Sequence, residues 1–324
     1  MKREVRFLIT ISFAFFYLLI GVIVPTNYSA LGPGFVTKVS DNIQIEDIEN
    51  SNNFFSVAVY GLDKLTGLTR IVLDACYKWD VYETTIYESS ITSKEDRLRG
   101  QISKRASYLN SLINAYRLAN EKDSNIYLEV DFKGIDIYYR PPHLTNLKIG
   151  DRVIKINDEL LTKENYQEII KANKFENVEL TIIRDNETKN IDVTYQVGDY
   201  VMSYYPYYEI VSSYPEVSLP GLSSDTGGPS GGLMQTISLY VSLLNINFGN
   251  LKIAGTGTIN EAGIVGEIGG ITQKLYTVDS NKMDYFIIPK SQYKEISSLK
   301  HKTVIVLVTS IVDAVNFLEN IKIN

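Results

Sequence analysis

From Phe7 to Val24 the chain runs for 18 residues without a charge, just long enough to cross the hydrocarbon core of a bilayer as a helix. A helix apolar on every side belongs either in a large core or in lipid, so this run is set apart from whatever folds after it. Pro25 ends it. Lys2, Arg3 and Arg6 precede the run and the next charge is Lys38, an asymmetry that places the N-terminus in the cytoplasm and the remainder outside. The competing reading is a cleaved signal peptide with Ala30 at the cleavage site, although Tyr28 is bulkier than the small residue such a site favours. We read residues 1–28 as a cytoplasmic tip and retained membrane anchor.

The 324 residues allow about two domains beyond the anchor, and a 44% hydrophobic, 22% charged composition is that of a globular body. A net charge of −6 without an arginine-rich stripe argues against nucleic acid as a partner. Cys76 is the only cysteine, which excludes an internal disulfide and a cysteine-based zinc cluster. His143 and His301 lack the helical spacing of a zinc protease motif, so neither metal nor cofactor is expected.

The hydrophobic pattern predicts an α+β fold. Residues 29–123 read as an N-terminal α/β region, with strands near Phe35–Ile45 and Phe54–Tyr60 and a helix over Ser93–Glu121. Ser93 and Asp96 resemble a capping pair, and Leu98, Ile102, Ala106, Leu109 and Ile113 form an apolar stripe, which suggests packing and no chemistry. Residues 124–198 read as a small module of short strands (Ile126–Val130, Arg152–Ile156, Val178–Ile183, Ile191–Tyr195) around a helix at Lys163–Ala172. The Tyr- and Pro-rich stretch Asp199–Pro220 reads as a linker or irregular edge. In the last region, 199–324, strands are expected at Leu251–Thr258, Tyr285–Ile288 and Val304–Val308, and helices at Gly231–Leu244, Thr272–Val278 and Ile311–Leu318.

Two motifs carry chemistry. Gly227-Gly228-Pro229-Ser230-Gly231-Gly232 opens a predicted helix, so Ser230 sits among unpaired backbone amides where the dipole favours negative charge. Taken alone, the motif is also that of a glycine-rich turn capped by serine. In Gly269-Gly270-Ile271-Thr272-Gln273-Lys274-Leu275, the residues Ile271, Lys274, Leu275 and Val278 fall at i, i+3, i+4 and i+7, which puts Lys274 on the buried stripe of its helix. Desolvation disfavours its ammonium, and a neutral amine can take a hydroxyl proton. A lysine snorkelling to the surface is the alternative.

Together these residues resemble the proteolytic domain of Lon proteases, in which Ser lies in a Gly-Pro-Ser-small-Gly turn and Lys follows a Gly-Gly pair. The 44-position separation of Ser230 and Lys274, Gly255-Thr256-Gly257-Thr258, and Gly263 to Gly270 follow the same order and spacing. Leu147 to Asn157 resembles the Gly-Asp turn, strand and Asn-containing turn of PDZ domains, which bind an extended peptide as an added strand. Anchor, PDZ-like module and Lon-type domain in this order resemble the PDZ-containing Lon-like serine proteases of Gram-positive bacteria, the SepM/YlbL type. The resemblance implies a Ser230–Lys274 dyad, Thr256 bonded to the lysine, and Gly228, Pro229 and Gly231 as supporting residues. Lon-type domains often form rings, so it also admits a homo-oligomer.

Two departures stand out. Gly227 occupies the position where ATP-driven bacterial Lon enzymes often carry Asp, so Asp225 is given no catalytic role. Gly231 replaces the Ala common after the nucleophile. No Gly-x-x-x-x-Gly-Lys-Ser/Thr loop occurs, so the expected substrates are peptides or unfolded proteins, cut without ATP. Ser291–Lys294, Ser297–Lys300 and Ser40-Asp41-Asn42 match penicillin-binding patterns in the wrong order. Two rivals remain from the sequence: a non-catalytic PDZ-like sensor or scaffold with a Lon-like domain, and a serine hydrolase acting on an ester.

Overall fold

The computed structural model describes residues 3–41, 43–85, 90–173, 177–196, 203–221 and 228–322. Helix α1 (Arg3–Ile23) is exposed along its length, and its window Val5–Ile23, of mean hydropathy 2.2, is long and apolar enough to cross a membrane. A helix of this kind at an N-terminus is either a span or a signal sequence. Next come β1 (Tyr28–Lys38), β2 (Gln44–Ile45), β3 (Phe54–Leu62), α2 (Gly67–Asp74), β4 (Asp80–Glu83) and α3 (Ser93–Asn120). The middle holds β5 (Tyr127–Tyr139), β6 (Arg152–Ile156), β7 (Glu159–Leu160), α4 (Tyr166–Ala172), β8 (Asn177–Arg184), β9 (Glu187–Thr194) and β10 (Ser203–Tyr214). Then follow β11 (Val217–Ser218), α5 (Gly232–Leu243), β12 (Ile253–Gly255), β13 (Thr258–Ile259) and β14 (Val265–Gly266). Last are α6 (Ile271–Ser280), β15 (Tyr285–Pro289), α7 (Tyr293–Ile296), β16 (Val304–Val308) and α8 (Ile311–Ile321).

A six-stranded sheet, ordered β16-β15-β12-β3-β1-β4, joins both ends of the sequence. β12 runs parallel to β3 on one side and to β15 on the other, so strands separated by the whole middle region lie side by side. Alternate residues of these strands face opposite layers, as a period of two requires. Phe54, Ile253 and Ile287 pack toward α5, while Val57, Ala254, Phe286 and Ile288 pack toward α6. Burial on both faces explains why β12 and β15 read as unbroken apolar runs.

The second sheet, ordered β10-β5-β6-β8-β9 with β7 paired to β6, encloses its own core with α4, including Ile135, Leu147, Val153, Ile170, Leu180 and Ile182. Its extent differs from the borders drawn at 123 and 198. Within the stretch read as a linker or irregular edge, Ser203–Tyr214 is an edge strand, irregular in register, paired to β5 from Ser203↔Tyr139 to Tyr214↔Tyr127. Tyrosine favours a strand, and Pro206 is tolerated because β10 lies at an edge.

Smaller differences have local causes. α3 is capped by Thr92 and Glu95, one residue before the expected pair: the Thr92 hydroxyl accepts from Glu95 N, and the Glu95 carboxylate accepts from Thr92 N. Ile102, Ala106 and Leu109 are buried as expected, while Leu98 and Ile113 are half-buried. The second half of α3 is buried on several sides, through Leu112, Ala115, Tyr116 and Ala119, because it lies against both α5 and β5. The strand expected over Leu251–Thr258 breaks at Thr256 and Gly257, and that break forms part of the site described next.

Candidate active site

Ser230 occupies the turn that enters α5. Gly228, at φ +95°, adopts a conformation that glycine takes without strain. The turn is tied to the break between β12 and β13: Gly257 N donates to Ser230 O at 2.9 Å, and Leu233 N donates to Gly257 O at 3.1 Å. Gly255 is required here, since a Cβ would lie 2.3 Å from Met234 Sδ and 2.9 Å from the Ile287 carbonyl.

Lys274 reaches the same point from the other layer. Gly270, in the left-handed region at φ +68°, starts α6, and Ile271, Lys274, Leu275 and Val278 form its buried stripe. Lys274 is only 2% exposed. Its Nζ lies 3.0 Å from Ser230 Oγ and 2.8 Å from Thr256 Oγ1. Burial lowers its pKa from the ordinary 10.5 to about 7. Thr256 Oγ1 donates its own proton to Ser230 O at 3.1 Å, so it can only accept from the amine. One N–H of Lys274 is thereby fixed on Thr256, which orients the amine toward the serine hydroxyl.

All the singled-out residues within the described range, Ser230, Lys274, Thr256, Gly228, Pro229 and Gly231, meet at this one place. Asp225, Gly227 and Asn42 lie outside the described residues. His301 Nδ1 lies 2.8 Å from the Thr303 carbonyl, away from this group.

The sequence reading assigned no chemistry to α3, and there it missed part of the site's support. Ser107 Oγ donates to Pro229 O at 3.2 Å, and the one proton of Ser111 Oγ is shared between Ser107 O at 2.7 Å and Gly232 O at 2.9 Å, so two α3 serines lie against carbonyls flanking Ser230. Gly232 admits the helix: a Cβ there would lie 2.8 Å from Ser107 Oγ. Asn110 and Asn114 extend the row, donating to Ile259 O and Asn260 O. A signal was present, because Ser103, Ser107 and Ser111 recur at intervals of four beside an apolar stripe.

No curated protein matches the chain. Residues 205–321 match the Lon protease (S16) C-terminal proteolytic domain, which spans Ser230, Thr256 and Lys274. The chain therefore carries a Lon proteolytic domain and is a serine peptidase.

Proposed function

We propose that the protein is a membrane-anchored, ATP-independent serine endopeptidase that cuts peptides or flexible proteins outside the cytoplasm, with Ser230 as nucleophile and Lys274 as general base. The observation that carries this reading is the 3.0 Å separation of Lys274 Nζ from Ser230 Oγ in a place where the amine is dry. A lysine held near neutrality is an effective base at physiological pH. Lys274 takes the Ser230 proton as the hydroxyl attacks the scissile carbonyl. The amides opening α5 stabilise the oxyanion, and the ammonium returns its proton to the leaving amine. Water then attacks the acyl-enzyme as Lys274 accepts its proton, and the ammonium returns that proton to Ser230 Oγ as the ester bond breaks and the acid product leaves. Thr256 holds the amine in register through both steps.

The anchor and its direction rest on α1 and on Arg3 and Arg6 beside it. The protease body is discontinuous in this reading, formed by the chain before β5 and after β10, with the five-stranded module between. A PDZ-like character for that module is supported by α4 beside the sheet and by the Gly150-Asp151 turn leading into β6. β5 is already paired on both sides, by β10 and β6, so an added peptide strand would need another edge or displacement of β10.

The test is covalent labelling of the purified full-length chain with a serine-directed fluorophosphonate, alongside cleavage of an unstructured peptide library. Wild type is expected to be labelled at Ser230 and to cleave, and Ser230→Ala to do neither while keeping its circular dichroism. Cleavage surviving in Ser230→Ala would remove the dyad, and absence of labelling and cleavage in wild type would favour the scaffold.

A further inference from the structure

Helix α2 carries its apolar stripe outward. Leu68, Ile71, Val72 and Ala75 fall at i, i+3, i+4 and i+7, the spacing that in a soluble protein turns toward a core. Here Leu68, Ile71 and Val72 are 40%, 68% and 60% exposed, and α2 buries none of its residues. Tyr77, just beyond the helix, is 78% exposed. A contiguous apolar patch of this kind marks an interaction surface.

The neighbour of α2 identifies what covers it. Thr26 N donates to Leu65 O at 2.8 Å, and Pro25 bridges to Thr66, so the chain leaving α1 is tied to the chain entering α2. A Cβ on Gly67 would lie 3.6 Å from the Gly21 carbonyl, which puts the first turn of α2 against the last turn of α1 with no side chain between. The apolar surface at the end of α1, including Ile20, Ile23 and Val24, is therefore continuous with Leu68, Ile71 and Val72.

We propose that α2 lies in the interfacial layer of the bilayer that α1 crosses, with Leu68, Ile71, Val72 and Tyr77 seated between headgroups and upper acyl chains. This rests on reading α1 as a membrane span. Its consequence is a fixed orientation of the protease body. The ring of Tyr77 meets Tyr276 edge to face at 6.0 Å, and Tyr276 is two residues from Lys274 on α6. α6 and the β4 edge then face the bilayer. The β16 edge stands five strand spacings of about 4.8 Å away.

The experiment places the full-length chain in phosphatidylcholine vesicles, with or without bromine on the upper acyl chains. Trp79 is the only tryptophan, so a Trp79→Phe background carrying either Ile71→Trp or Val312→Trp has one emitter. Val312, exposed on α8 beside the β16 edge, is the distant control. Brominated lipid is expected to reduce emission about twofold or more at position 71 and to leave position 312 unchanged. Equal quenching at the two positions, or none at 71, overturns the proposal. Blue-shifted emission at 71 without quenching overturns it in favour of a protein partner or a second copy. Cys76, the only cysteine, repeats the measurement in the unsubstituted chain, with a fluorescent thiol label quenched by spin-labelled lipid. Alkaline extraction of the same vesicles reports on α1 separately. An unextracted chain without quenching keeps the anchor and refutes the seat, whereas an extracted chain that quenched at 71 refutes the anchor and keeps the surface contact.

Discussion

Lys274 and Asp151 are both ionisable side chains taken out of water, and the two regions that bury them treat them in opposite ways. In the five-stranded module the Asp151 carboxylate accepts from Arg184 Nε at 2.6 Å, from Arg184 Nη2 at 2.5 Å and from Lys148 N at 2.7 Å. Such a pairing answers the carboxylate within the fold. Across the six-stranded sheet, Lys274 faces hydroxyls, and among the described residues no carboxylate pairs with its amine. Buried charge that serves the fold is neutralised by a partner, whereas burial around Lys274 drives the amine toward its neutral form. Substitutions that remove either group test whether that division is real.

The largest effect is expected for Lys274→Met. Peptide cleavage should fall by roughly 10³-fold or more, as when a member of a catalytic unit is removed. Stability should move the other way. The pKa of Lys274 is lower in the folded chain than in the unfolded one, so the unfolded state binds the extra proton between pH 7 and 10.5 and stability rises with pH across that window. The penalty is fully present below pH 7 and amounts to something on the order of 4–5 kcal/mol at 1.36 kcal/mol per unit. Denaturant titrations of wild type and Lys274→Met at pH 7 and pH 10 should therefore converge as pH rises. Loss of stability at pH 7 in the variant would mean that the lysine serves the fold.

Asp151→Ala should do the reverse. Leaving Arg184 without its partner should cost about 3–5 kcal/mol of stability. Cleavage of a short peptide below the new melting temperature should change less than about threefold, since distant sites are nearly independent. A loss of turnover comparable to that of Lys274→Met, with the melting temperature unchanged, would reverse the contrast.

Within the protease body the amine sets the pH profile. kcat/KM is expected to rise about tenfold per pH unit below about pH 7 and to level off above it, following the fraction of neutral Lys274. A flat profile between pH 5 and 9 would separate the amine from the rate-limiting proton transfer.

How the two regions could be read from sequence differs for the same physical reason. The Ser230 turn, the Gly-Gly start of α6 and the buried position of Lys274 were legible because each follows from local rules: glycine at helix starts, a fixed spacing between motifs, and a stripe every 3.6 residues. Three features were not. The stretch holding β10 reads as either a linker or an irregular edge because Pro206 and a cluster of tyrosines break any simple pattern, and only the pairing with β5 decides for the edge strand. The joining of β3 to β12 depends on a pairing between residues 54–56 and 253–255, which no local pattern encodes. The serines of α3 were passed over because polar residues on a helix ordinarily face water, and here they face the carbonyls of Pro229 and Gly232.

Ser111→Ala measures that support. Removing the hydroxyl leaves Gly232 O without one donor, and the expected cost is about 1–2 kcal/mol of stability with a fall in kcat of roughly tenfold and KM nearly unchanged. Ser111→Thr, which keeps the hydroxyl, should recover most of the rate. Equal kcat in Ser111→Ala and wild type would confine the α3 row to packing.

The smallest effect separates two glycines that are adjacent in sequence but differ in their surroundings. A Cβ on Gly231 would lie 3.3 Å from Gln235 Nε2 and 3.5 Å from Ser56 Oγ, both side-chain atoms able to move by a few tenths of an ångström. On Gly232 it would meet Ser107 Oγ at 2.8 Å and Ile259 Cγ2 at 2.9 Å, displacing the hydroxyl that donates to Pro229 O. Gly231→Ala should therefore keep cleavage within about threefold of wild type, while Gly232→Ala loses on the order of 1–3 kcal/mol through overpacking. The alanine tolerated at 231 is also the residue that the Lon-type turn commonly carries there. If Gly231→Ala is instead as damaging as Gly232→Ala, the space around Ser56, whose buried hydroxyl has no hydrogen-bond partner among the described residues, is needed by the nucleophile turn itself.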